Sequence, residues 1–178
     1  MSQTSDSMAP RAWLQLEDAQ LVRQCAVDTY LASGHGGHNR NKVTSAVRLL
    51  HDPSGLMVTA TERRSQHENK VRAIQRLRTE IALQQRNHLP ADEEAPAFYR
   101  EALQRDPTLR VNRKNPDYCL IVQHVLDVIF AEQGRVSDAA KRLALSTGHL
   151  NRFLKNDPRV WRQVNELRKA FGLAALRG

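Results

Sequence analysis

A chain of 178 residues with 40% hydrophobic content and no apolar run near the ~20 residues that cross a bilayer is expected to form one or two small domains in the cytoplasm, without a membrane partner. Its formal net charge of +8 is unevenly placed: residues 31–88 carry 10 Lys/Arg against 4 Asp/Glu, residues 108–178 carry 13 against 6, and the remaining pieces are acidic. Two basic blocks suit surfaces that face a polyanion, while an aromatic content of 5% disfavours a module that grips single strands by base stacking, so phosphate contacts are the expected source of affinity.

In chain order, residues 1–12 read as a disordered leader, rich in Ser and small residues and without the apolar core of a secretory signal. Leu16 to Cys25 has helical spacing at Leu16, Ala19 and Cys25, with Glu17 and Asp18 in the first turn. A β-prone stretch, Ala26 to Leu31, leads into a glycine loop. Thr44–His51 and Leu56–Thr61 are predicted strands joined by the turn Asp52-Pro53-Ser54-Gly55. From Ser65 to Arg86, Val71, Ile74, Leu77 and Ile81 mark an amphipathic helix, with Ser65 as N-cap and Glu68 completing a capping box. A short helix is expected over Glu93–Arg105. Four more follow: Asp117–Glu132 ending at Gly134, Ser137–Leu145, one capped by Ser146 or Thr147, and one opened by Asp157-Pro158 and closed by Gly172. Cys25 and Cys119 are distant and match no metal-ligand spacing, so buried free thiols are expected, with neither metal nor cofactor.

The loop itself is Ser33-Gly34-His35-Gly36-Gly37-His38-Asn39-Arg40-Asn41-Lys42, followed by Ser45-Ala46-Val47-Arg48. Adjacent glycines let a backbone approach a ligand closely, because no Cβ intervenes. Taken alone they describe an ordinary surface loop. Together with Glu62-Arg63-Arg64-Ser65-Gln66-His67-Glu68-Asn69, however, this stretch resembles the catalytic domain of class I peptide chain release factors. That family has a Gly-Gly-Gln loop, then Asn, Ser-Ala-Val-Arg, a hairpin, and Glu-Arg-Ser-Gln-x-x-Asn opening a long helix. Asn41, Ser45, Ala46, Val47, Arg48, Glu62, Ser65, Gln66 and Asn69 fall on family positions without a gap, over residues 16–86. His38 stands where the family has glutamine.

The resemblance implies hydrolysis of the ester joining a nascent peptide to tRNA, with the ribosome (rRNA and peptidyl-tRNA) as partner. Negative charge builds on the ester carbonyl oxygen, and a fixed N–H aimed there lowers the barrier by ~3–4 kcal/mol. In the family the donor is the main-chain N–H of the third loop residue, which any residue except proline supplies. Gly36, Gly37 and His38 are therefore the catalytic candidates. Three outcomes stay open for the imidazole: an altered hydrolase, a silent occupant of the ribosomal A site, or metal binding by His35 and His38, which lack Cys or acid partners. The short segment before residue 16 leaves out the codon-reading half, so a rescue-type factor without stop-codon reading is expected. Arg40, Lys42, Arg48, Arg63, Arg64, Lys70 and Arg72 are the candidates for RNA phosphate contacts, and Asn41, Ser45 and Gln66 for bracing the loop.

The predicted class is α+β: a small β-sheet with a long packing helix over residues 13–88, a helical linker over 89–107, and an all-α, helix-turn-helix-like domain over 108–178. In the last, His149, Asn151, Arg152 and Lys155 are expected to face outward, as they would in a protein that enters a DNA groove. The alternative function is thus a hydrolytically silent protein binding the ribosome, other RNA or DNA through this domain.

Overall fold

The computed structural model describes residues 9–30 and 45–177. The architecture is α+β and divides into two compact units, residues 1–81 and 82–178. The first unit opens with two short helices, α1 (Pro10–Gln15) and α2 (Asp18–Arg23), where the sequence suggests one helix over 16–25. Helix α1 starts at Pro10, inside the stretch assigned to a leader, because Trp13 and Leu14 supply two buried anchors. In α2 the core residue is Leu21, and Ala19 is exposed. The two helices are separate because Leu16 and Glu17 have extended ψ angles of 145° and 153°.

Strands β1 (Cys25–Tyr30), β2 (Ala46–His51) and β3 (Leu56–Ala60) form an antiparallel sheet in the order β1-β2-β3. The register places Val27 opposite Leu49 and Leu49 opposite Val58, while Asp28, Arg48 and Thr59 line up on the other face. Alternation does the rest, since Val47, Leu49 and His51 of β2 are buried and Leu50 is exposed. Gly55 has φ +68° in the β2–β3 turn and donates to the His51 carbonyl at 2.8 Å, a conformation that favours glycine.

Helix α3 (Gln66–Gln84) buries Asn69, Ala73, Ile74, Leu77 and Ile81, spaced three and four apart. Val71, expected on that stripe, is 38% exposed, and Ala73 takes its place. Arg76 ties the helix to the Thr59 carbonyl of β3, and Arg78 donates to the carbonyls of Leu14 (2.7 Å) and Leu16 (2.6 Å), where α1 ends.

The second unit is helical: α4 (Ala97–Arg105), α5 (Tyr118–Ala131), α6 (Val136–Arg142), α7 (Thr147–Lys155) and α8 (Pro158–Ala170). Helix α4 starts four residues later than predicted, because Pro96 supplies the extended residue before its first turn. Helix α5 is buried from Ile121 to Ile129 and packs on α4, α6 and α8. It carries a buried carboxylate, Asp127, which accepts from Arg86 Nη1 (3.2 Å), Asn87 N (3.1 Å) and Asn87 Nδ2 (2.7 Å). Burial lowers the Arg86 pKa to about 10 against the pull of Asp127, which leaves the guanidinium charged at neutral pH. Cys25 and Cys119 are half-buried and not joined in a disulfide.

Candidate nucleic-acid interface

Gly36, Gly37, His38, Arg40, Asn41 and Lys42 lie outside the described residues, as does His35. What the structure describes is the frame into which they are sequenced: Tyr30 on one side, Ser45 on the other, and the turn between β3 and α3. Asn69 holds that frame together. It is fully buried, its Nδ2 donates to the Ser45 carbonyl (2.6 Å) and the Arg63 carbonyl (2.9 Å), and its Oδ1 accepts from the Arg63 N–H (3.0 Å). One carboxamide thus uses both of its donors and its acceptor to clamp residue 45 to residue 63.

The clamp sits at the start of α3 because Ser65 ends the preceding turn. Its Oγ accepts from Glu68 N at 3.4 Å, capping the helix as the spacing predicts, and its carbonyl accepts from Asn69 N at 3.1 Å. Glu62, the acid that opens the second motif, pairs with Arg76, which also donates to Thr59 O. The Arg76 hydrogen bond is the main reason the Glu62 carboxyl titrates below its usual range. Glu62 is therefore committed to holding the turn.

The basic candidates separate accordingly. Arg63 and Arg64 are exposed on the clamped turn, and Lys70 is exposed one residue beyond Asn69. Arg72 is half-buried. Arg48 leans 4.9 Å from the centre of the Tyr30 ring and lies 3.7 Å from Asp28, so β1 and β2 orient its guanidinium at the sheet's outer face. Of the bracing candidates, Ser45 acts through its carbonyl and Gln66 is exposed at the first position of α3. Asn69 was the residue to find: an amide on the apolar stripe of a helix signals an internal partner.

Helices α6 and α7 meet through Ala144, whose φ is +55°, and Ser146 caps α7 by accepting from His149 N at 3.1 Å. On α7, Arg152 and Lys155 are exposed, whereas His149 and Asn151 are half-buried and the Asn151 Oδ1 is enclosed. Among the described residues no group of three or more His, Cys, Asp or Glu is placed to hold a metal ion, and no helix is long and apolar enough to cross a membrane.

The family model described as the RF-1 domain matches residues 19–117, more than half of the chain. The chain belongs to the RF-1 domain family. Its RF-1 domain is similar to peptide chain release factor 1 of Novosphingobium aromaticivorans, 54% identical over 55 residues, covering 31% of this chain and 16% of that protein. It is similar also to peptide chain release factor 2 of Paramagnetospirillum magneticum, 48% identical over 58 residues (33% and 16%), and to peptide chain release factor 1 of Granulibacter bethesdensis, 45% identical over 69 residues (39% and 20%). The chain thus spans no more than 20% of the length of these curated relatives. The RF-1 domain match includes the Asn69 clamp and stops at Asp117, just before α5.

Proposed function

We propose that this chain is a release-factor-like translation factor that binds the ribosome and promotes hydrolysis of the peptidyl-tRNA ester without reading a stop codon. The observation that carries the proposal is the Asn69 clamp inside the RF-1 domain match. It binds Ser45, seven residues after His38 in sequence, to the turn bearing Arg63 and Arg64, so the Ser45-Ala46-Val47-Arg48 block is tied to the block that opens α3. A loop meant to present a main-chain donor needs a rigid base, since a donor acts on the transition state only if its position is set beforehand.

In this proposal water adds to the ester carbonyl carbon, the N–H of residue 38 donates to the oxyanion that forms, and the tRNA 3′ hydroxyl leaves as the carbonyl is restored. Gly36 and Gly37 let the backbone reach the ester. The His38 imidazole replaces the family's carboxamide beside the entering water, and it can donate or accept a hydrogen bond there. Arg63, Arg64 and Lys70 contact rRNA phosphates, with Arg48, Arg72, Arg40 and Lys42 as further contacts.

Peptide release by the purified chain on stalled ribosomes, beside His38→Gln, tests this. Release above background by the native chain is the expected result. Background release by the native chain together with a gain in His38→Gln would reject hydrolysis and leave a silent A-site occupant.

A further inference from the structure

The corner between α7 and α8 gathers cations around one enclosed carboxylate. Asp157 is 1% exposed and caps α8 by accepting from Arg159 N at 2.9 Å. Its Oδ2 accepts from the Tyr118 hydroxyl (3.1 Å) and lies 3.2 Å from both Arg113 Nε and Arg159 Nη2. Arg113 also donates to the Asn156 carbonyl at 3.2 Å. Two guanidinium groups thus meet at a single oxygen, yet their side chains remain 49% and 44% exposed. Beside them, Lys155 Nζ stands 5.3 Å from the centre of the Trp161 ring, and Lys114 is exposed.

Charge balance follows directly. Between Asp138 and Glu166, Asp157 is the only carboxylate in the sequence, and it is spent on holding the arginines from within; near Arg113 and Lys114 in sequence, Asp117 lies 4.0 Å from Arg105. The corner therefore presents net positive charge to solvent. Its arginine forks are already oriented, so less side-chain freedom is lost when they meet a phosphate. Base reading has no comparable support, since the Asn151 Oδ1 of α7 is enclosed and His149 is half-buried.

We propose that the α7–α8 corner is a second RNA-binding surface, gripping the sugar-phosphate backbone through Arg113, Lys114, Lys155 and Arg159 without reading bases. The choice of RNA over DNA rests on the ribosomal role proposed above; the phosphate chemistry does not. This surface lies outside the RF-1 domain match apart from Arg113 and Lys114.

The test is fluorescence anisotropy of the full chain with a labelled RNA hairpin and a DNA hairpin of the same sequence, across a salt series. It uses the double variant Lys114→Gln/Lys155→Gln, which leaves Asp157 and both arginines in place. At ~0.1 M salt the variant is expected to bind RNA about tenfold more weakly, with a salt slope shallower by roughly two units and an unchanged melting temperature. The same loss is expected in an Arg63→Gln/Arg64→Gln background, which removes the first unit's contribution. Unchanged affinity and slope would overturn the proposal. Equal or tighter binding of the DNA hairpin, with the same lysine dependence, would overturn the assignment to RNA. A chain that releases no peptide on ribosomes but shows lysine-dependent, RNA-preferring binding refutes the function proposed above and not this surface.

Discussion

Asn69 and His51 show how single polar side chains decide what a small unit can do. Asn69→Ala leaves the Ser45 and Arg63 backbone groups without their partner, and the expected cost is about 2 kcal/mol, measured by denaturant unfolding. Peptide release should fall by more than that loss of folded protein explains, because the loop's base is released as well. His51 is fully buried against the Trp13 ring, 5.0 Å between centroids, with its Nε2 3.2 Å from Gln24 Oε1 and its Nδ1 2.7 Å from Ser54 Oγ. Because an amide oxygen can only accept, Nε2 donates to Gln24, while the bond between Nδ1 and the Ser54 hydroxyl runs in the direction the tautomer sets. Burial lowers its pKa, more than Asp52 raises it. The unfolded chain therefore takes up a proton that the folded chain refuses as pH falls through ~6.5. Stability from this site is complete above that value and is lost below it. The melting temperature should drop between pH 7.5 and pH 5, and His51→Gln should remove part of the drop.

Helix ends carry the next level of control. Helices α5, α6 and α8 each close with a left-handed residue, Gln133 (φ +52°), Ala144 (φ +55°) and Gly172 (φ +71°), and a 6→1 hydrogen bond follows each, from Gly134 N, Leu145 N and Leu173 N. Only the last uses glycine at that position. Gly134, which the sequence suggests as the first residue beyond α5, is the second; its φ of +77° favours glycine, and a Cβ there would also come within 3.3 Å of the Arg168 Cα. Ala144→Gly relieves the left-handed strain and is expected to stabilise the second unit by about 0.5–1 kcal/mol, readable as a higher denaturant midpoint. Asp127→Ala acts in the other direction. It strands the Arg86 guanidinium, 12% exposed, without its counter-charge, at an expected cost of about 3–5 kcal/mol in the same measurement.

At the scale of the whole molecule, charge is distributed by unit. Exposed Arg63, Arg64 and Lys70 carry positive charge on the first, and Arg113, Lys114, Lys155 and Arg159 carry it on the second. Replacing Arg63, Arg64 and Lys70 together with Gln should flatten the salt dependence of ribosome binding by roughly three units while folding stability changes by about 0.5 kcal/mol or less. Co-sedimentation with ribosomes across a salt series measures the first quantity and thermal melting the second.

Pattern and motif alone were enough for the α+β class, the β2–β3 hairpin, α3, the cap at Ser65 and membership of the release-factor group, because alternation, three-to-four spacing and turn residues are local properties of a chain. Local spacing misassigned Val71 and Ala19, whose exposure depends on where a neighbouring element falls. Tertiary structure alone decided that Asn69 joins residues 45 and 63, that Glu62 belongs to Arg76, and that Asp157 gathers Arg113 and Arg159. Each of these includes a contact between residues at least 14 apart in sequence, Asn69 with Ser45, Glu62 with Arg76 and Asp157 with Arg113, and no periodicity encodes a distance across a fold.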